Sequence, residues 1–350
     1  MCTAISLMGL AGRTLDLECS FDEQVSVTPI GYRRSFVFEG ERRSIHGLIG
    51  VAHIHEGVPL YYDAMSESGL YMAALNFPKC AVYREREAGK INLASAELIP
   101  YILGECRGID EAAELLRSIN ITPDGVMGLP ATPLHWFLSN GSEVLIIEPT
   151  ESGVEITKNP HQVLANSPKL AYHFAKMAEL SYISPTNPKI KEENSHKFPI
   201  YSRGMGAIGL PGDYSSSSRF VRAAFLAENI KAFGDIKATD NEKNGNLFSQ
   251  IGEKNGKNGN NSPLIEENER KKRISAFFHL ADSVAVPYGA VLTDEGLPVY
   301  TVYTSCADLA SRTYYLTTYY SRTPRAYSFA SLDKMVVYPL PVREKIEYFN

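Results

Sequence analysis

Short runs of apolar or alternating residues crowd the first half of the chain. Gly47–Ile54, Leu60–Ala64 and Gly69–Asn76 are separated by Gly, Pro and Ser, a pattern that predicts successive strands. His135–Leu138 and Glu143–Glu148 flank Asn140-Gly141, a pair that tolerates positive φ, and so predict a hairpin. Ser152-Gly153 marks a further turn before a strand at Val154–Lys158. The first eleven residues are also apolar, and no Lys or Arg precedes them, so they read as a strand and not as a targeting segment. Apolar residues at three- and four-residue spacing predict helices at Ala94–Cys106 and Asp110–Ile119, with Asp110 as N-cap. A third helix starts in the serine cluster 215–218 and runs through Arg219–Phe233 with a stripe of Phe220, Ala223, Ala224 and Leu226. Ile274–Val284 reads as a fourth helix, and the Tyr- and Thr-rich segments Tyr300–Thr304 and Arg312–Tyr320 as strands.

One region stands apart. Residues 234–272 are crowded with Asn, Gly, Lys, Glu and Asp, and cannot bury enough apolar surface to offset the entropy of ordering. A flexible surface insertion is expected there. No other segment looks like a linker, so residues 1–350 are expected to form one layered α+β domain.

Composition narrows the classes of function. With 350 residues, 44% of them apolar, the chain can bury a large core. A net charge of −5 and a pI near 6.0 supply no electrostatic footprint for nucleic acid or an anionic membrane. Five widely spaced cysteines show no CxxC or Cys/His metal spacing and suit a reducing, cytoplasmic setting better than a disulfide framework. No uninterrupted apolar stretch of about 18 residues occurs, so no membrane span is expected.

Candidate chemistry begins at Cys2. Removal of Met1 would expose a residue carrying both a thiol and a free α-amine, two groups that titrate within about 1.5 units of neutral pH. A nucleophile that brings its own general base can perform acyl transfer. Such a nucleophile needs a cation to favour the thiolate, a partner to orient the amine, and donors for the oxyanion. Arg13 and Asp16, three residues apart on the next strand, could supply the first two. An ordinary ion pair at a strand end would leave the same trace.

Met-Cys-Thr-Ala-Ile-Ser-Leu at 1–7 followed by Gly-Arg-Thr-Leu-Asp-Leu-Glu at 12–18 resembles the choloylglycine hydrolase family, which comprises bile salt hydrolases and penicillin V acylases. Leu75-Asn76-Phe77-Pro78, Pro133-Leu134-His135-Trp136, Leu164-Ala165-Asn166-Ser167-Pro168 and Gly209-Leu210-Pro211-Gly212-Asp213 extend the resemblance in family order. Ser218-Arg219-Phe220 and Tyr303-Thr304-Ser305-Cys306 complete it.

The resemblance implies an αββα four-layer fold of the N-terminal nucleophile class. It makes Cys2 the nucleophile and its α-amine the base, and Arg13 and Asp16 the positioning pair. Asn76, through its backbone N–H, and Asn166, through its side-chain amide, would form the oxyanion hole, with Arg219 completing the polar cluster. Leu15, His55, Tyr62 and Leu129 match positions that line the substrate pocket, His55 being oddly polar for such a place. The implied reaction is hydrolysis of the amide of a glycine- or taurine-conjugated bile salt through a thioester, with no metal and no cofactor. A bacterial, cytoplasmic, tetrameric enzyme is implied as well. Asn at position 76 favours the bile salt hydrolases over penicillin V acylases, which more often carry Tyr there. Ser202-Arg203-Gly204 resembles a loop variant associated with glycine conjugates.

The chain departs from the family at one place. Only Met8-Gly9-Leu10-Ala11 separate Leu7 from Gly12, fewer residues than relatives have. A tight turn at Met8-Gly9 is expected, and a slip of one residue there would reverse every side chain on β-strand partners. Two alternatives therefore stand beside the hydrolase: an acylase of the same fold acting on penicillin V or another N-acyl compound, and an inactive bile-acid-binding relative whose Arg13 and Asp16 are displaced.

Overall fold

The N-terminal apolar run becomes β1 (Cys2–Leu7), which reverses at Met8-Gly9 into β2 (Leu10–Leu17). Both turn residues have positive φ, 53° and 82°, as a two-residue type I′ hairpin requires. A computed structural model of the chain describes residues 1–190, 199–234, 263–329 and 333–341.

The hairpin sits inside an antiparallel sheet. β14 (Val163–Leu164) pairs with β1, and β2 pairs on its far side with β16 (Pro298–Asp308). Outward from β16 lie β17 (Thr313–Thr318) and β18 (Arg325–Ser328), while the short β15 (Val291–Leu292) also pairs with β16. A second antiparallel sheet runs β13 (Gly153–Lys158), β12 (Val144–Thr150), β11 (Leu134–Ser139), β8 (Tyr71–Asn76) and β7 (Val58–Ser66). It continues through β6 (Leu48–His55), β3 (Glu23–Thr28) and β19 (Val336–Pro339). Two small ribbons stand apart, β4 (Arg33–Phe36) with β5 (Gly40–Arg43), and β9 (Ile91–Ala94) parallel to β10 (Ile119–Thr122).

Strand periodicity decides the layers. In β8, Tyr71, Ala73 and Leu75 join a core shared with the first sheet, whereas Met72 and Ala74 pack with the helices behind the second. Those helices are α1 (Leu98–Glu105) and α2 (Ile109–Arg117). The first sheet is covered by α4 (Ser216–Gly234) and α5 (Pro263–Asp282), which contribute Phe220, Ala223, Phe277 and Leu280 to the core. α3 (Leu170–Glu179) packs against α4. The result is the α+β, four-layer αββα arrangement that the resemblance implied.

Several boundaries differ from the sequence reading. Ala94 ends β9, paired with Thr122, so the following helix begins only at Leu98 after a short 3-10 turn at Ser95–Glu97. Gly108, not Asp110, is the N-cap of α2, and Asp110 lies in the first turn where its charge meets the positive end of the helix. α5 starts at Pro263, so the last ten residues of the stretch expected to be a loop are helical. Proline suits a first helical position because that N–H has no helical partner. Gly234 closes α4, and the rest of the expected insertion, residues 235–262, lies outside the described residues. No described helix is long and apolar enough to cross a membrane.

Candidate active site

The register of the β1–β2 hairpin places Cys2 opposite Leu15 and Ala4 opposite Arg13. Both Cys2 and Arg13 are buried, and both line one cavity of about 320 Å³. The two-residue turn thus keeps a register in which Arg13 reaches the cavity that Cys2 lines. Its Nη1 donates to Ala74 O at 2.5 Å and Tyr62 O at 3.1 Å, and its Nε to Thr14 O at 3.2 Å. Nη2 is buried without a hydrogen-bond partner. Burial opposes the charge on Arg13, but Cys2, Tyr303, Asp63 and Tyr71 more than reverse that effect, and the guanidinium is held protonated.

Asn166 ties the site together. Its Oδ1 accepts from the backbone N–H of Cys2 at 2.7 Å and from Arg219 Nη2 at 2.9 Å, and its Nδ2 donates to Asn76 O at 2.8 Å. One hydrogen of that amide is thereby used, and the other is left for a further acceptor. The Asn166 carbonyl in turn accepts from Ser216 Oγ at 2.7 Å and His173 Nε2 at 3.0 Å. Arg219 is fully buried at the start of α4 and donates also to Cys2 O, to Thr3 Oγ1 at 2.6 Å and to Tyr214 O at 3.0 Å. Burial lowers its pKa, while Asp16 and Cys2 act the other way.

Asp16 lies on the opposite side of the hairpin's first residues. With Met1 in place, the terminal ammonium donates to the Asp16 carbonyl, and Asp16 N donates to Met1 O at 2.9 Å. The Asp16 carboxylate accepts from Thr301 Oγ1 at 2.6 Å and Thr14 Oγ1 at 3.3 Å. Cys2, Arg13, Asp16, Asn76, Asn166 and Arg219 are therefore drawn into one neighbourhood. Only Cys2, Arg13 and Asn76 line the cavity; Asn166 and Arg219 support them.

The cavity walls are largely apolar. Leu15, Tyr62 and Leu129 lie on them. His55 does not. It donates through Nε2 to Met127 O at 3.1 Å, at the tip of the 126–129 turn, and its ring stacks on His53 at 5.8 Å. That turn is closed by mutual bonds between Val126 and Leu129 at 3.0 and 2.9 Å, with positive φ at Met127 and Gly128. His55 is thus a brace for a wall loop, which accounts for its polarity. Leu17, Phe21, His53 and Leu134 also line the cavity and were missed from sequence. His53 donates to Phe21 O at 3.0 Å, and Phe21 is 49% exposed at the cavity rim; neither contact leaves a local signal in the sequence. Among the described residues no group of three His, Cys, Asp or Glu is placed to hold a metal ion.

This geometry has relatives. The chain matches the model of the linear amide C–N hydrolases of the choloylglycine hydrolase type over residues 2–262 and 258–334. It is 32% identical over 355 residues to a bile salt hydrolase/transferase of Lactiplantibacillus plantarum, covering 100% of this chain and 99% of the other. A conjugated bile acid hydrolase of Lactobacillus acidophilus is 30% identical over 307 residues, 87% of this chain and 86% of the other. The fold superposes on a crystal structure of the conjugated bile acid hydrolase of Clostridium perfringens with a TM-score of 0.81 at 26% identity, each chain fully covered. A penicillin V acylase of Agrobacterium tumefaciens shares the fold alone, with a TM-score of 0.67 at 19% identity over 95% of this chain and 87% of the other. With Cys2, Arg13 and Asn76 on one largely apolar cavity and Asn166 bonded behind them, the chain belongs to the choloylglycine hydrolase family and is a linear amide C–N hydrolase.

Proposed function

We propose that the protein hydrolyses the amide bond of glycine- or taurine-conjugated bile salts, with Cys2 as nucleophile after removal of Met1. The observation that carries this reading is the cavity itself: a largely apolar trough of about 320 Å³, within the range of small-molecule sites, with Cys2, Arg13 and Asn76 on its wall. A steroid nucleus fits such walls, and its amide can then be presented to the sulfur. The names of the relatives point to the same substrate class.

In this mechanism the α-amine freed at Cys2 is held by Asn166 Oδ1, which already accepts from that nitrogen. The neutral amine takes the thiol proton, and the charged Arg13 favours the resulting thiolate. Sulfur attacks the amide carbonyl. The backbone N–H of Asn76 and the remaining Nδ2 hydrogen of Asn166 receive the oxyanion, and Arg219 holds Asn166 rigid from behind. The α-ammonium then protonates the departing glycine or taurine nitrogen, leaving a thioester on Cys2. Water deprotonated by the same amine attacks the thioester, and free bile acid leaves. An amine acceptor in place of water would complete a transfer, the second activity in the names of some relatives.

The test is incubation with equal glycocholate, taurocholate and penicillin V, with products quantified by mass spectrometry. Cholate together with glycine or taurine, absent from a Cys2→Ala control, is the expected result. Phenoxyacetate as the main product would move the reading to an acylase. With Met1 shown to be removed, no product from any of the three would end it.

A further inference from the structure

The least usual feature outside the reacting groups is a carboxylate sealed between the two sheets. Asp63, in β7, is completely buried and accepts from Tyr314 OH at 2.6 Å, Ser305 Oγ at 2.9 Å, Tyr71 OH at 3.0 Å and Tyr303 OH. The donors come from β8, β16 and β17, so the cluster staples one sheet to the other. Four hydroxyl donors fill the acceptor sites of a single carboxylate; burial pushes the Asp63 pKa up, while Arg13 and the hydroxyls of Tyr303, Tyr314 and Ser305 draw it back towards the charged form. Burying such a group is costly without compensation, and apolar residues of similar size would fill the space at lower cost. A charge kept at that depth calls for a reason.

The connection runs to Arg13. Its backbone N–H donates to Ser305 Oγ at 3.2 Å, and the same hydroxyl donates to Asp63 Oδ2. No carboxylate forms a salt bridge with the Arg13 guanidinium among the described residues, and Asp63 is a negative group close enough to act on it. We propose that Asp63 is a positioning residue for the reaction: through Ser305 and through its charge, it fixes Arg13 so that the unpartnered Nη2 is directed at the Cys2 sulfur. The proposal rests on Cys2 being the nucleophile, as read above. The groups facing Asp63 are Arg13 from β2, Tyr71 from β8, and Tyr303 and Tyr314 from β16 and β17. Those facing Cys2 are Arg13 from β2, Tyr62 from β7 and Arg219 from α4, besides its own α-amine once Met1 is removed.

The sign of the effect follows from charge balance. Asp63→Asn keeps the shape and removes the negative charge, so Arg13 loses compensation and draws the Cys2 thiolate more strongly. The pH midpoint for alkylation of Cys2 by iodoacetamide, read on the Cys2 peptide by mass spectrometry, should fall by about half a unit or more. kcat should fall by roughly 10- to 100-fold with KM within about threefold, because the interaction is made to the reacting group and not to the steroid. A folded Asp63→Asn variant with an unmoved alkylation midpoint overturns the proposal, whatever its turnover. Should that variant fail to fold, Ser305→Ala, which keeps the Asp63 charge but cuts its link to Arg13, decides by the same measurement with the opposite sign: a raised midpoint supports the link, an unmoved one ends it. Alkylation needs no substrate, so wild-type protein inactive on bile salts would refute the substrate reading without touching this one.

Discussion

His173 and Arg219 hold the two ends of Asn166, and each makes a distinct prediction. His173 and His135 are both buried, the latter stacked on Phe77 at 4.1 Å, beside Asn76. Burial lowers both imidazole pKa values from the ordinary 6.5; Glu148 opposes this for His135, as the Asn166 carbonyl does for His173, while His135 adds to it for His173. Well above pH 6.5 neither folded nor unfolded chain binds a proton at these rings. As pH falls below that value the unfolded chain takes up protons that the folded one refuses, so stability falls with pH. Urea midpoints measured from neutrality down to about pH 5 should decline, and His173→Gln, which keeps a donor and cannot titrate, should decline less steeply. Equal slopes for the two proteins would show that His173 is not responsible. Arg219→Lys tests the other end. A lysine cannot reach Cys2 O, Thr3 Oγ1, Asn166 Oδ1 and Tyr214 O from one planar fork, so kcat should drop roughly 100-fold with charge conserved. Turnover within a factor of a few of wild type would mean that charge alone suffices.

The element that decides whether these residues meet is the β1–β2 hairpin. Its Met8-Gly9 tip was legible from the sequence, because only a turn type with positive φ closes two strands over so few residues. What the hairpin leans on was not legible. Gly12 has β16 so near that an added Cβ would stand 2.0 Å from Ser305 O and 2.8 Å from Phe277 Cζ. Gly12→Ala must push β2 away from β16 or displace α5, and should cost about 3 kcal/mol or more in urea unfolding. Gly9→Ala places a side chain at φ 82° with only Arg273 Nη1 within reach, and should cost only about 1 kcal/mol. If Gly12→Ala unfolds together with wild type, close strand approach is not what glycine provides there. The same distinction runs through the site. Local signals gave the strands, most helices and the turn tips. Asp63, Ser305 and the tyrosines that meet it lie up to 251 residues apart, and no period or motif in one sequence joins them. His55 failed as a pocket residue for the same reason, since its partner Met127 belongs to a distant turn.

At the scale of the whole molecule, the cavity belongs to no single layer. Leu15 and Leu17 come from one sheet, Tyr62 and Ala74 from the other, and Leu129 from a loop between strands, so the cavity exists only when the sheets are stacked. A ligand that fills it binds the folded chain and not the unfolded one, and must raise global stability by mass action. Free cholate, the proposed product, has the steroid but no amide to cleave, and so reads binding apart from chemistry. At about 100 times its dissociation constant it should add about 2.7 kcal/mol, and the thermal transition should move up by a few degrees. The shift should persist in Cys2→Ala, where the walls are unchanged. It should shrink in Leu129→Asp, which places a carboxylate on the apolar wall from a half-buried loop position and leaves both sheets intact. Phenoxyacetate offers a small aromatic acid as the counter-case, and an equal shift from it would favour the acylase reading. No shift from cholate at any concentration below its micellar range would mean that the trough is not a steroid site, and the bile salt reading would fail even with Cys2, Arg13 and Asn166 in place.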